Sequence, residues 1–376
     1  MLEKLEVHGF RTLVDTEVTF EPLTLLIGRN GSGKTSLLDS LKLLGNFARG
    51  GVNRAFGPPP WSLGWQRTRG MGQISSVRFE VQLRAATDER YRYLLSLQER
   101  SGEPCVVEER LTRVRDHVTI ASFDFNSPPA SGTILKPPSG TPLADEIEAV
   151  SHVFRRVTTY ELNPSNIEQG NDPEHQYVSR DGFGVAGYLA WARDTSPQRF
   201  ANIQRRLQCF RPETESIEVW SGGSTLYWGI RDQGQQRAFQ APHLSWGDRQ
   251  LVGILCVLDQ SSSEPGTLVA FEEVDRGFHP SRYGQVVELL SEAAYDGIDG
   301  GPAIQIVATS HSPSFVNQLG DRVGELRLVS RVPSGATLVR PVNELLTEAL
   351  GPDPLEQPVG EIWELGMLEE VLSGAM

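Results

Sequence analysis

Apolar and polar positions along this chain follow two rhythms. LEVHGF and EVTF alternate as strands either side of a turn, and LTLLIG is a short apolar run that predicts a buried strand. After a glycine-rich loop, Leu37, Leu38, Leu41 and Leu44 recur at helical spacing. VRFEVQL then places Val77, Phe79, Val81 and Leu83 on one face. YRYLLSL, VVEERL and VTIASFDF continue as strands, so an antiparallel meander is expected. NSPPASGTILKPPSGTPL reads as a linker or long loop. From about Asp145 to Pro212 the pattern is mostly helical, clearest at LAWA and FANIQRRLQCF. IEVW and TLYWGI return to strands. The chain then runs through a helix-core segment at ILCVL, a buried strand TLVAF, a helix near YGQVVELLSEAA and a second buried strand AIQIVATS. There is no internal repeat and no long heptad run.

This succession predicts an α/β protein whose mixed sheet carries an N-terminal antiparallel meander and an inserted helical lobe. The expected division is 1–130 for the first part of one lobe, 131–260 for an inserted, largely helical second lobe, 261–345 for the return to the first lobe, and 346–376 for a helical tail. The strands after about residue 217 are expected to complete the central sheet.

Composition narrows the function classes. With 376 residues and 39% apolar content the chain can bury a sizeable core. A net charge of −13 excludes a general nucleic-acid coat, so any contact with phosphate backbones must be local. One local departure exists. Between Ser40 and Phe79 there is no Asp or Glu, while Lys42, Arg49, Arg54, Arg67, Arg69 and Arg78 are interleaved with Phe56, Trp61 and Trp65. Such a stretch suits strand backbones and exposed bases, or is a solvated loop whose tryptophans pack on the body. Cys105, Cys209 and Cys256 lack metal or redox spacing, which points to reduced thiols in a cytoplasmic protein. No apolar run approaches membrane-spanning length, so no membrane association is expected.

Four short stretches carry chemistry. GRNGSGKTS, residues 28–36, fits G-x-x-x-x-G-K-[ST] between an apolar strand and an amphipathic helix. Gly28, Arg29, Asn30, Gly31, Ser32, Gly33, Lys34, Thr35 and Ser36 would cradle the phosphates of ATP with backbone N–H groups and a helix N-terminus. Lys34 would reach the β- and γ-phosphates, and the Thr35 hydroxyl would ligate Mg²⁺. TLVAFEEVDRGFHP ends a buried strand in two acids, Glu272 for the Mg²⁺ shell and Glu273 as general base. His311, in ATSHSPSF, leaves another buried strand where it would meet a γ-phosphate. HLSWGDRQ places Ser245 as an N-cap before a buried helix.

In that order these motifs resemble the ATP-binding-cassette ATPases. Within them the chain is similar to the RecF, SMC and OLD branch of chromosome, repair and phage-defence ATPases. KLEVHGFRTL, and FHP after the acidic pair, resemble the branch's "predicted AAA-type ATPase" members, which have no coiled coil. The resemblance implies a P-loop NTPase fold of the ABC-ATPase head type. It also implies that HLSWGDRQ is the signature motif, whose Ser245 and Gly247 close over the P-loop nucleotide of a second subunit, with Arg249 and Gln250 in support. A homodimer would form on binding ATP, serving DNA and a nuclease or toxin partner protein. About 65 residues follow His311, too few for the TOPRIM nuclease of OLD-like proteins, so the resemblance implies ATPase chemistry without a nuclease.

Some positions depart from the family pattern. Glu272 stands where Asp is usual, and Val274 and Asp275 where Pro and Glu are common. Gln66 and Gln73 are the candidates for the family's Mg²⁺-sensing glutamine. Phe10 and Arg11 are placed near adenine and ribose, with packing an equal alternative for Phe10. The expected activity is that of an ATP-hydrolysing switch in DNA repair, chromosome maintenance or anti-phage defence. The alternative is the nucleotide-binding subunit of a membrane transporter.

Overall fold

The computed structural model describes residues 1–57, 61–68, 76–85, 87–124, 132–137, 140–351 and 358–373. Three sheets organise them. The first is fully antiparallel, with strand order β2-β1-β4-β5-β6-β7. It comprises β1 (Leu2–Phe10), β2 (Leu13–Thr19), β4 (Val77–Arg84), β5 (Arg90–Arg100), β6 (Glu103–Arg113) and β7 (Thr119–Asp124). This is the expected meander. The alternation is clean on β4, where Val77, Phe79, Val81 and Leu83 are all buried.

The central sheet has the order β15-β14-β3-β13-β12-β8. It comprises β3 (Leu23–Ile27), β8 (Val157–Tyr160), β12 (Leu268–Phe271), β13 (Gln305–Ser310), β14 (Leu326–Arg331) and β15 (Thr337–Pro341). All neighbours pair in parallel except β14 with β15. Parallel strands covered on both faces read as continuous apolar runs, as β3, β12 and β13 do. Each face enters a different core. Leu25, Ile27, Val269, Phe271, Ile306 and Ala308 join one, while Leu26, Leu268, Ala270 and Val307 join the other.

Helices fill both layers. Between the two large sheets lie α1 (Lys34–Gly50), the short α2 (Val52–Ala55) and α3 (Leu63–Gln66), and α4 (Ala144–Arg155). The opposite face is covered by α5 (Pro164–Ile167), α6 (Val185–Thr195), α7 (Pro197–Phe210), α8 (Trp246–Ser261), α9 (Tyr283–Tyr295), α10 (Pro313–Val316), α11 (Val342–Leu350), α12 (Val359–Glu364) and α13 (Met367–Ser373).

The structure departs from the sequence expectations in three places. Val157–Tyr160 lies within the stretch expected to be helical, yet pairs in parallel with β12 as an edge of the central sheet. Of the strands after about residue 217, the later ones complete that sheet but the first three do not join it. β9 (Thr214–Gly222), β10 (Thr225–Asp232) and β11 (Phe239–Gln240) form a separate three-stranded sheet around the buried Trp228. The central sheet is completed instead by β12 to β15 and β8. Finally, the expected linker contains an anchored turn. Buried Glu109 accepts hydrogen bonds from the Thr133 and Tyr93 hydroxyls and the Ile134 N–H. Burial pushes its carboxyl up to about 7, and these three donors oppose that shift.

Gln305 at the start of β13 clamps the two large sheets together. Its side chain accepts from the Leu2 N–H at 2.8 Å and donates to the Leu2 carbonyl at 2.7 Å, with both residues buried. Gln305→Ala would leave that backbone pair unpaired. Urea unfolding should show a loss of about 2 kcal/mol, while nucleotide affinity stays that of the wild type.

Candidate functional site

Three neighbouring parallel strands deliver the chemistry. β3, β13 and β12 lie side by side, so the segments leaving their C-terminal ends meet. β3 gives the loop 28–33 and α1, β12 gives Glu272 and Glu273, and β13 gives Ser310 and His311.

The loop after β3 curls because its glycines take backbone angles that other residues resist. Gly28, Gly31 and Gly33 have φ of 149°, 76° and 117°. Space also demands them. A Cβ on Gly28 would lie 2.0 Å from the Val329 carbonyl oxygen, and one on Gly33 would lie 2.1 Å from Thr337 Oγ1. Thr337 in turn donates to the Ser32 carbonyl at 2.9 Å. Arg29, Asn30, Gly31 and Thr35 are exposed around the rim, and Ser32 and Ser36 are buried beneath.

Lys34 is the centre of this arrangement. Its ammonium donates to the carbonyls of Gly28 at 2.7 Å and Arg29 at 3.1 Å, and lies 3.5 Å from both Ser32 Oγ and His311 Nδ1. Burial lowers its pKa to about 8, against the opposing pull of Glu273 and Glu272. His311 is likewise pushed down, by burial first and then by the Lys34 charge. Its ring is therefore neutral at neutral pH.

Thr35 Oγ1 donates to Glu272 Oε1 at 2.5 Å. Burial raises the Glu272 pKa, and Glu161, Asp39 and Glu273 add repulsion. A hydroxyl oxygen beside a carboxylate in an acid-rich corner is a donor set of the kind that hard divalent cations take. Among the described residues no group of three or more His, Cys, Asp or Glu side chains forms a self-contained metal cage. The site therefore fits an ion completed by phosphate and water.

Glu273 has φ of 48°, outside the usual range for a residue with a side chain. Its N–H donates to Thr309 Oγ1 at 2.8 Å, and the next N–H, of Val274, donates to the Thr309 carbonyl. These bonds hold the strained turn and aim the carboxylate outward, 4.0 Å from His311 Nε2 and 3.6 Å from Arg276. Asp275 is buried and accepts from Ser310 Oγ at 2.9 Å. Burial raises its pKa.

A cavity of about 1060 Å³ opens over these residues. Gly28, Arg29, Glu273, Arg276 and His311 line one wall, and Trp363 to Gly366 with Glu369 and Glu370 line the other. The motifs gave no hint of that C-terminal wall or of Thr337, and they gave Thr309 no role although it lies within ATSHSPSF. Only the acidic run near Glu369 was a signal, and it carries no address.

Ser245 and Gly247 are not brought to the chain's own loop. Ser245 caps α8, accepting from the Asp248 N–H at 3.1 Å, and it is exposed together with Trp246. Gly247 is buried against the Gly277 carbonyl. Asp248 pairs with Arg282 at 2.7 Å, and Arg249 pairs with Glu168. Gln250 is buried within the helix. Phe10 is a packing residue, edge-on to Phe79 at 5.6 Å. Arg11 is bound to Asp39 and to Gln66, so Gln66 faces Arg11 and not the loop. Gln73 lies outside the described residues.

Comparisons with known proteins agree with this geometry. Residues 1–79 match the family described as "AAA ATPase domain", and residues 143–317 match "AAA domain, putative AbiEii toxin, Type IV TA system". An OLD nuclease of Thermus scotoductus is 23% identical over 372 residues, covering 92% of this chain and 65% of its own. The chain thus spans about 65% of that relative's length. The SMC head bound to the C-winged helix domain of ScpA matches at a TM-score of 0.53 and 13% identity, over 90% of this chain and 96% of that one. The SMC head domain from Thermotoga maritima gives 0.49 and 16%, over 90% and 98%. Together these matches support a P-loop ATPase of the RecF/SMC/OLD branch. No helix among the described residues of this ATPase is long and apolar enough to cross a membrane. Cys105, Cys209 and Cys256 are all free.

The lowered Lys34 pKa has a testable sign. Phosphate binds the ammonium form, so above pH 8 binding must first recover a proton. Affinity for a nucleoside triphosphate in excess Mg²⁺ should fall roughly tenfold from pH 7 to pH 9, and calorimetric titration of wild type against Lys34→Ala should show the dependence only in the wild type.

Proposed function

We propose that this ATPase binds ATP with Mg²⁺ at Gly28–Ser36, hydrolyses it, and forms a homodimer around two nucleotides. The observation that carries the reading is the split of the site. Lys34, Thr35, Glu272, Glu273 and His311 gather at the ends of β3, β12 and β13, with Glu273 and His311 on the wall of the large cavity, while Ser245 is presented to solvent at the head of α8. A helix N-terminus with free N–H groups, turned away from its own phosphate loop, fits a phosphate supplied by a second copy.

The residues would divide the work as follows. Lys34 and the loop N–H groups hold the β- and γ-phosphates. Thr35 and Glu272 hold Mg²⁺, which supplies charge neutralisation on the phosphates when bound. Glu273 takes a proton from the attacking water, and its strained backbone fixes the carboxylate for that task. His311, kept neutral, hydrogen-bonds the γ-phosphate while remaining beside Glu273. Ser245 and Gly247 of the second copy complete the phosphate's coordination. The division into a first lobe, an inserted lobe at 131–260 and a C-terminal return fits this split between loop and signature. Hydrolysis would open the dimer, making it a cytoplasmic switch in DNA repair, chromosome maintenance or anti-phage defence, acting with DNA and a nuclease or toxin partner.

Light scattering on Glu273→Gln tests the reading. With Mg-ATP the mass should rise from 41.5 kDa to about twice that, while hydrolysis falls about 10²-fold or more. Adding Ser245→Arg should keep nucleotide binding and abolish the mass change. A closed dimer in that double variant would overturn the role given to the signature.

A further inference from the structure

A second site runs along α1, away from the nucleotide cavity. Arg49 Nη1 and Arg180 Nη2 both point at one neutral acceptor, Asn46 Oδ1, at 3.4 and 3.0 Å. Two guanidinium groups therefore meet on an amide oxygen, with no carboxylate between them. Arg49 also donates to the Arg155 and Val157 carbonyls at 2.8 Å, which fixes its position. Burial, then the charges of Arg180 and Arg54, lower its pKa to about 10, so it stays cationic at neutral pH in a field that repels it. Arg180 is pushed down by burial and by Arg54 as well. A chain of net charge −13 has gathered three arginines where they repel one another.

Arg49, Arg180 and Asn46 line a groove, with Arg54 near enough for its charge to act on both arginines. One cavity of about 760 Å³ is lined by Arg49, Tyr160, Tyr177 and Arg180. A second shares Tyr160, Arg180 and Asp181 with it and continues to Asp39 and Lys42. A third shares Asp39 and Lys42 and reaches Asn46, Phe56 and Trp61. Lys42 Nζ sits 5.5 Å over the Trp61 ring. Along this path Trp61 and Tyr177 are 53% and 56% exposed, and His175 stacks behind Tyr177 at 4.1 Å. The acids on the path are hydrogen-bonded or lie at its Glu272 end. Asp39 accepts from Arg11, Asp181 accepts from Asn166 and the Phe183 N–H, and Glu161 and Glu272 mark the turn toward the nucleotide.

We propose that this groove binds a single strand of nucleic acid, its phosphates on Arg180, Arg54 and Lys42 and its bases stacked on Trp61 and Tyr177. Converging cations that form no ion pair among the described residues supply the phosphate contacts, and exposed aromatic rings supply sequence-tolerant stacking. Arg49 acts as the fixed floor of the groove. The inference rests on the reading of the chain as a switch that acts with nucleic acid, and it does not depend on dimerisation.

Fluorescence anisotropy of the full chain with a labelled 20-nucleotide oligothymidylate tests it. The wild type should bind, and Arg54→Glu with Arg180→Glu should weaken binding at least tenfold. With Arg54→Ala and Arg180→Ala the log–log salt slope should fall by about 1.4, at about 0.7 per lost phosphate contact. Trp61→Ala, which leaves the charges intact, should weaken binding roughly tenfold. ATP binding and the ATP-driven mass change should be those of the wild type in every variant, which separates failure of the groove from failure of the ATP-switch reading. Wild-type affinity in the charge-reversed protein overturns the proposal. So does displacement of the oligonucleotide by inorganic phosphate at matched ionic strength, which would mark a small-anion pocket. A duplex that binds as well as the single strand overturns the assignment of the ligand.

Discussion

A single buried ammonium sets the terms for the nucleotide site. Lys34 is held by two backbone carbonyls, so its charge is placed but not neutralised. Burying an uncompensated cation is costly, and the lowered pKa is the measure of that cost. A polyphosphate relieves it. The same constraint fixes the surrounding geometry. The loop can bring the Gly28 and Arg29 carbonyls to Nζ only if Gly28, Gly31 and Gly33 take positive φ. The Gly28 backbone is pressed to within a Cβ's reach of Val329 on β14, and Gly33 is pressed against Thr337 on β15. The C-terminal pair of strands therefore shapes the N-terminal phosphate loop, although about 300 positions separate them.

The charges around Lys34 are arranged so that none cancels it outright. Glu272 is engaged with Thr35, and Glu273 is directed toward His311 and Arg276. His311 is neutral because the Lys34 charge and burial both disfavour its cation. It can thus give or take a hydrogen bond between the ammonium on one side and the Glu273 carboxylate on the other. Arg276 extends the chain of contacts outward, since its guanidinium also sits 5.6 Å over Trp246 at the head of α8. One side chain thereby links the acid pair to the head of α8.

Much of this was legible in the sequence, for identifiable reasons. The phosphate loop, the acidic pair and His311 are short segments bounded by strands that are apolar throughout, and such strands are read without ambiguity. β8 was hidden because it is four residues long, two of them threonine, and follows a helical pattern with two arginines. Its strand character comes from pairing with β12, more than 100 residues away, and no local signal records that. β14 was missed because Arg327 interrupts its apolar run. That arginine is buried, and it satisfies itself on the Thr19 carbonyl at 2.8 Å and on the Gly324 carbonyl. β9 and β10 were recognised as strands but assigned to the wrong sheet, because alternation states a strand's faces and not its neighbours.

The position of Ser245 follows from what holds α8. Beyond its first residue the helix is buried over more than three turns, from Gly247 to Asp259. Its head is pinned on several sides, by Gly277 against Gly247, by Arg282 on Asp248, and by Glu168 and the Pro164 carbonyl on Arg249. A helix so fixed cannot swing its N-terminus to the phosphate loop of its own chain without breaking the core behind it. The N-terminus of α8 and the exposed Ser245 hydroxyl are therefore held rigidly outward, as the proposed half-site requires. The half-site around Lys34 is equally rigid, because its loop is locked between β14 and β15. Two fixed halves that the fold holds apart in one molecule can be joined only by moving whole molecules. Chemistry that needs both would then respond to the arrangement of subunits, which is the property a switch requires.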